Sequence, residues 1–178
     1  MRSTTRFQLA VRRNEGMRLR ADFLCRMSNV LGRQCSEPSL MSLEETDSLY
    51  EEFRRHWADL ESGRLQGRRL RFPSSRDDEL YLFLHRLGAA LAREEAAMFC
   101  RVTEFTGALS VLVGDVLGNA ERILELDGEE IQLFNSSHNC GMVIEYCTER
   151  SRLGSEVLFN LWVWGESWIR EADKNFAL

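Results

Sequence analysis

The chain has 178 residues, with 23 Lys and Arg, 28 Asp and Glu, and a formal net charge of −5. Its apolar fraction of 44% is ordinary for a folded domain and too high for intrinsic disorder. The length fits one domain. No apolar run in the sequence approaches the roughly 18–20 residues of a membrane-spanning helix, so we expect no contact with a membrane.

The charge is divided along the chain. Residues 1–76 hold 15 Arg against 10 acidic residues, whereas residues 77–178 hold 18 acidic residues against 8 basic ones. This acidic half predicts a docking surface for a basic partner. The five cysteines are odd in number and irregularly spaced, with no CxxC pair. That usage indicates reduced thiols and a cytoplasmic location.

The first part of the chain has the apolar spacing of helices. Residues 17–31 predict a first helix, and we expect residues 1–16 to be a flexible extension before it. A capping box from Ser42 to Glu45 predicts the start of a second helix, which should end near Leu60 because Gly63 follows.

Arginines are concentrated in residues 63–73. An isolated stretch of charge is more typical of a solvated loop than of a nucleic-acid site, so we predict a loop and no direct contact with nucleic acid. A third helix should begin at Ser74 or Ser75, whose hydroxyl can cap it, and should run to about residue 93.

The remaining sequence changes to the alternating pattern of strands. Strands are predicted at residues 97–104, 108–113, 130–134, 142–148 and 157–163, and helices at 115–126 and 166–173. Segregated elements indicate an α+β fold, with N-terminal helices packed on a mainly antiparallel C-terminal sheet that has one inserted helix and a short C-terminal helix. We predict one domain over residues 17–178, helical over 17–93 and sheet-rich over 97–178.

The last predicted strand gives the sheet two different faces. Alternate residues from Phe159 to Val163 should face the core, and Trp162 and Trp164 should face the opposite side. If that side is open, the two indoles and nearby Glu145 would form an interaction surface. If helices cover both sides, the indoles are buried instead.

One short segment raises the question of catalysis. Cys140 could be a nucleophile with His138 as its base, but a turn that leads into a strand explains the same residues. Adding Cys147 gives three zinc ligands and no fourth at a sensible spacing. Glycine motifs that bind phosphate are absent from the sequence. We therefore predict no enzyme activity, no metal and no cofactor.

A family resemblance is carried by LDGEEIQLFNSSHNCGMVIEYCTER and LFNLWVWGESWI, at residues 126–150 and 158–169. The pattern is an inserted helix, a DG turn, a strand, a turn ending in Gly, an acidic strand, and a strand ending in WGE-W. It resembles small bacterial immunity proteins of polymorphic and contact-dependent toxin systems. The resemblance implies a cytoplasmic antidote that occludes a toxin, often a basic nuclease.

We therefore expect a non-catalytic, immunity-like protein that binds a cognate basic toxin. From charge and position, its partner-binding residues are predicted to be Glu129, Glu130, Glu145, Glu149, Glu156, Trp162 and Trp164. Two alternatives stay open. One is a secretion chaperone or adaptor, for which a small acidic α+β chain is equally suitable. The other is a small enzyme that uses Cys140 and His138.

Overall fold

A computed structural model describes residues 6–128, 130–151 and 154–176, without the side chains at positions 6, 127, 149–151 and 154–156. The helices are α1 (Arg6–Leu31), α2 (Leu43–Glu61), α3 (Asp77–Ala90), α4 (Thr103–Thr106), α5 (Val113–Gly118), α6 (Ala120–Asp127) and α7 (Glu166–Phe176). The strands are β1 (Gly67–Pro73), β2 (Glu95–Phe99), β3 (Leu109–Leu112), β4 (Glu130–Asn135), β5 (Cys140–Ser151) and β6 (Gly154–Trp164).

The six strands form one sheet in the order β1-β6-β5-β4-β2-β3, and the neighbouring strands are antiparallel. The predicted α+β class is confirmed, with helices first, a mainly C-terminal sheet and a short last helix. Among the described helices, none is both long and apolar enough to cross a membrane.

Helix α1 begins at Arg6 rather than at residue 17, so residues 6–16 are helical in place of the expected flexible extension. Arg12 provides the physical reason. Its guanidinium donates two hydrogen bonds to the Asp47 carboxylate, at 2.7 and 2.8 Å, and a third to the Glu104 carbonyl at 2.7 Å. These bonds join the first turns of α1 to α2 and α4. The ion pair with Asp47 also raises the pKa of Arg12, mainly through the hydrogen bond.

The loop prediction for residues 63–73 is wrong over β1, which pairs with β6 at the edge of the sheet. Leu70 and Phe72 point into the core, while Arg69 and Arg71 point to the opposite side of the sheet. Arginine side chains and a terminal proline are typical of edge strands, because they discourage pairing with another chain.

The capping box at the start of α2 is confirmed. The Ser42 hydroxyl accepts a hydrogen bond from the Glu45 backbone N–H at 3.2 Å, and the Ser42 N–H donates to the Glu45 carboxylate at 3.0 Å. The Ser42 hydroxyl is the larger cause that lowers the pKa of Glu45, and its backbone N–H adds to the effect. Satisfying these N–H groups fixes where α2 begins.

Two other helix boundaries differ from the prediction. A 3₁₀ turn over residues 74–76 precedes α3, and no serine hydroxyl caps it. The inserted helix is divided into α5 and α6 at Asn119, whose backbone leaves the helical conformation. The apolar spacing continues through this break, so periodicity alone predicts one helix.

Hydrophobic clusters lie on both sides of the sheet. On one side, which we call the core face, α1, α3, α5, α6 and α7 pack against strand residues such as Ile144 and Leu161. On the other side, which we call the α2 face, Phe53 and Leu60 of α2 pack with Trp164. Helix α2 is a single helix and covers only part of this second face. The part that it leaves uncovered is where a site can lie.

Candidate partner-binding site

Helix α2 crosses one end of the α2 face. In the sheet register, Trp164 lies opposite Gly141, Gly141 opposite Phe134, and Phe134 opposite Ala97. The ring of Phe53 in α2 packs above this row, at 5.7 Å from Trp164 and 6.0 Å from Phe134 between ring centres. Residues of β4, β5 and β6 that are further from this row lie beyond the contact with Phe53.

Trp164 is therefore a correction to the predicted partner-binding set. Its side chain is 0% exposed, because α2 packs over the end of β6 and because Gly141 on the neighbouring strand leaves room for the indole. The prediction that Trp164 contacts a partner is wrong. The predicted alternation along β6 is confirmed, but a helix covers this end of the strand.

The open part of the α2 face carries four of its side chains in adjacent register positions, namely Glu130, Gln132, Glu145 and Trp162. Glu130 is exposed and the other three are half-buried. We call these four residues the open sheet surface. It includes three of the residues that the sequence predicted for partner binding, and it brings them together from three strands.

Trp162 is held in place on the open sheet surface by three neighbours. Its indole N–H donates to the Glu145 carboxylate at 3.1 Å. The guanidinium of Arg69 lies 4.7 Å from the ring centre, a cation–π distance, and Trp57 packs edge-on at 5.5 Å. A half-buried aromatic side chain with a fixed orientation is typical of interface anchors, because little side-chain entropy remains to be lost on binding.

The Glu145 carboxylate is also fixed, through Asn160. Asn160 is 1% exposed, and its amide N–H₂ donates to Glu145 at 3.1 Å and to the Cys147 sulfur at 2.8 Å. Its carbonyl accepts two hydrogen bonds from Arg69, at 3.2 and 3.0 Å. This network satisfies a buried amide and sets the position of the carboxylate.

Two acidic residues are paired across neighbouring strands of the open sheet surface. Glu130 in β4 and Glu145 in β5 are directly opposite each other in the register. Like charges in that position repel and lower stability. The Gln132 amide donates to Glu130 at 2.7 Å, which supplies a dipole but no positive charge. The pair therefore leaves a local excess of negative charge.

The remaining predicted acidic residues cannot be placed on this surface. Glu129 lies outside the described residues. Glu149 and Glu156 are opposite each other in the β5–β6 register, but their side chains are outside the described part of the chain. Their assignment to partner binding stays a prediction.

A cleft of about 870 Å³ lies between α1, α2 and the β2 and β4 strands, and it includes Glu130 and Gln132 of the open sheet surface. Its apolar wall is formed by Tyr50 and Phe99. Its charged lining consists of Asp47, Glu51, Glu104, Glu130, Arg12 and Arg101. Sequence reasoning missed the carboxylates of α2 and α4, because their proximity to β4 depends on packing between distant segments.

The structure does not bring the ring of His138 to the thiol of Cys140. Cys140 is 1% exposed, and its thiol donates to the His138 backbone carbonyl at 3.3 Å and contacts the Ser167 hydroxyl at 3.3 Å. The exposed imidazole instead lies 3.4 Å from the Asn135 amide nitrogen and 3.7 Å from a carboxylate oxygen of Glu94. This is the geometry of a turn that leads into β5.

No cluster of three or more His, Cys, Asp or Glu in the described ranges could hold a metal ion. Comparison with protein-family models, with curated proteins and with solved structures finds no match. The resemblance to immunity proteins thus depends on residues 126–150 and 158–169 of the sequence. What the described geometry offers is an acidic, partly aromatic surface that continues into a cleft.

Proposed function

We propose that this chain is a non-catalytic, immunity-like protein of the bacterial cytoplasm that binds and occludes a basic protein toxin of the nuclease type. The observation that carries this proposal is the pairing of Glu130 with Glu145 on the open sheet surface. Their repulsion is a cost in the free protein, and a Lys or Arg of a partner would relieve it. A surface that is more stable with a cation on it than without one is suited to a basic partner.

Occlusion would combine charge with an aromatic anchor. A nuclease has an active-site cleft with a positive potential for its anionic substrate, so carboxylates are attracted to it. The acidic lining would speed the encounter, which an antidote needs because it must act before the toxin does. Trp162, already held by Glu145 and Arg69, would supply apolar contact area at the centre of the interface.

The test is binding to the protein encoded beside the gene for this chain, measured by surface plasmon resonance. Glu51→Lys and Glu130→Lys together reverse two carboxylates of the cleft. Glu121→Lys and Glu125→Lys are the matched control, because both are exposed on α6, which packs against the core face. Glu145 is left unchanged because its bonds to Asn160 and Trp162 make it part of the folded surface.

We expect the first double variant to lower the association rate by about tenfold at low salt, and the control to change it by less than about twofold. The wild-type association rate should fall as salt rises, since the Debye length shrinks from about 10 Å at 0.1 M to about 3 Å at 1 M. Melting temperatures that do not fall below that of the wild type would show that both variants are folded.

Two results would refute the proposal. Absence of binding to the adjacent gene product would exclude the immunity function for that pair. Equal effects of the two double variants, together with an association rate that does not depend on salt, would exclude the acidic docking surface.

A further inference from the structure

We infer that the cleft receives one basic side chain of the partner, whose guanidinium or ammonium group contacts Tyr50 and the carboxylates of Glu51 and Glu130. This inference rests on the proposed function, since it assigns the part of a basic partner that enters the cleft. It goes further because it places the contact between α2 and β4 rather than anywhere on the acidic half of the chain.

Tyr50 forms a rigid aromatic wall for the cleft. Its ring packs against two buried rings, edge-on to Phe99 at 5.0 Å and stacked on Phe53 at 5.8 Å between ring centres. Tyr50 itself is 38% exposed, whereas Phe99 is 5% exposed. An exposed aromatic ring that is supported by other packed rings attracts cations through its ring electrons. Little side-chain entropy is lost on binding, because the ring is already held in place.

Some carboxylates around Tyr50 are neutralised by an ion pair, and others are not. Asp47 is paired with Arg12, so the two contribute little net charge to the cleft. Among the described residues, none forms an ion pair with Glu51, and the hydrogen-bond partner of Glu130 is the neutral amide of Gln132. The cleft carboxylates without an ion pair in the described structure therefore come from different elements, with Glu51 on α2, Glu104 on α4 and Glu130 on β4.

The cleft has room for a long side chain, and its charge favours a cation over an anion. Its volume of about 870 Å³ lies in the range of roughly 300–1,000 Å³ that is usual for small-molecule pockets. Among its lining side chains, four are acidic and two are Arg, and Arg12 already donates to the Asp47 carboxylate and to the backbone carbonyl of Glu104. Net negative charge repels phosphate and attracts Lys or Arg, so charge complementarity selects a basic occupant.

The experiment uses the full chain with 3-fluorotyrosine at its three tyrosine positions and follows the fluorine NMR signals during titration with N-acetyl-arginine amide. Tyr50→Phe assigns the signal of the cleft. Tyr146 is an internal control, because it is also 38% exposed but packs with Phe159 on the core face. We expect a saturable shift of the Tyr50 signal alone. N-acetyl-citrulline amide, which is neutral and nearly the same shape, should cause no shift.

Charge-neutral variants test the carboxylates. Glu51→Gln and Glu130→Gln should each weaken the titration by about threefold and together by about tenfold, whereas Glu121→Gln on α6 should leave it unchanged. Equal shifts with the citrulline compound, an equal response at Tyr146, or no effect of the Gln variants would overturn the inference.

The two proposals fail separately. The titration contains no partner protein, so a missing Tyr50 response refutes the cleft contact while the kinetic test of partner binding still stands. A specific Tyr50 response together with no binding to the adjacent gene product would support the cleft contact and refute the immunity function.

Discussion

Replacing Gly141 with Ala should destabilise the fold through a collision with Trp164. A Cβ atom at position 141 would lie 2.5 Å from Cη2 of the indole and closer still to two other ring atoms. The ring is 0% exposed and packs against Phe53 and Phe134, with ring centres 5.7 and 6.3 Å away, so it has little room to shift. Overpacking of this kind costs about 1–3 kcal/mol, and we expect about 3 kcal/mol here.

Thermal and chemical denaturation measure this effect. For a domain of this size, 1 kcal/mol corresponds to about 2–4 °C, so the melting temperature of Gly141→Ala should fall by about 6–12 °C. Gly118→Ala is the control, because the added Cβ has no atom within 4 Å apart from its own helix backbone and chain neighbours, and its backbone is not left-handed. It should be neutral or stabilise by about 0.4–1 kcal/mol. If Gly141→Ala is as harmless as Gly118→Ala, then Trp164 is not enclosed between α2 and β5 and the reasoning fails.

Two further predictions concern the start of α2 and the thiol of β5. Ser42→Ala should cost about 1 kcal/mol through loss of the cap, measured by urea denaturation. Because the folded pKa of Glu45 is lowered from 4.5, its stabilising contribution is present above that value and is lost as pH falls through the folded pKa; the gap between wild type and variant should shrink in that acidic range. Cys140→Ala should leave partner binding intact, because the thiol contacts a backbone carbonyl and the hydroxyl of Ser167. Loss of biological activity at an unchanged melting temperature would instead support the Cys-dependent enzyme.

The fold class could be predicted because its signals are local. The capping box at Ser42 and the alternation in β4, β5 and β6 each lie within a few residues of sequence. Strand β1 could not be predicted in the same way. It has two inward apolar residues, Leu70 and Phe72, among arginines, and it is a strand because it pairs with β6 about ninety residues later. Pairing over that distance leaves no periodic signal of its own.

The candidate site was predictable in part for the same reason. Alternation places Trp162 and Glu145 on one face of adjacent strands, and the structure confirms that they share it. The burial of Trp164 depends on where α2 crosses the sheet, which is a matter of tertiary packing. The cleft also depends on this packing, since Glu51 and Glu130 line it together only when α2 lies beside β4.

The division of charge along the sequence is a weak guide to the charge on the folded surface. Ion pairs join the basic half to the acidic half, at 2.9 Å between Arg33 and Asp115 and at 2.9 Å between Arg68 and Asp173. Such pairs cancel charge that the sequence counts separately. The negative charge that remains is local, and it is set by strand register, which places Glu130 opposite Glu145. A shift of one residue would turn either side chain to the core face, so the acidic surface is a property of how β4 and β5 pair rather than of composition.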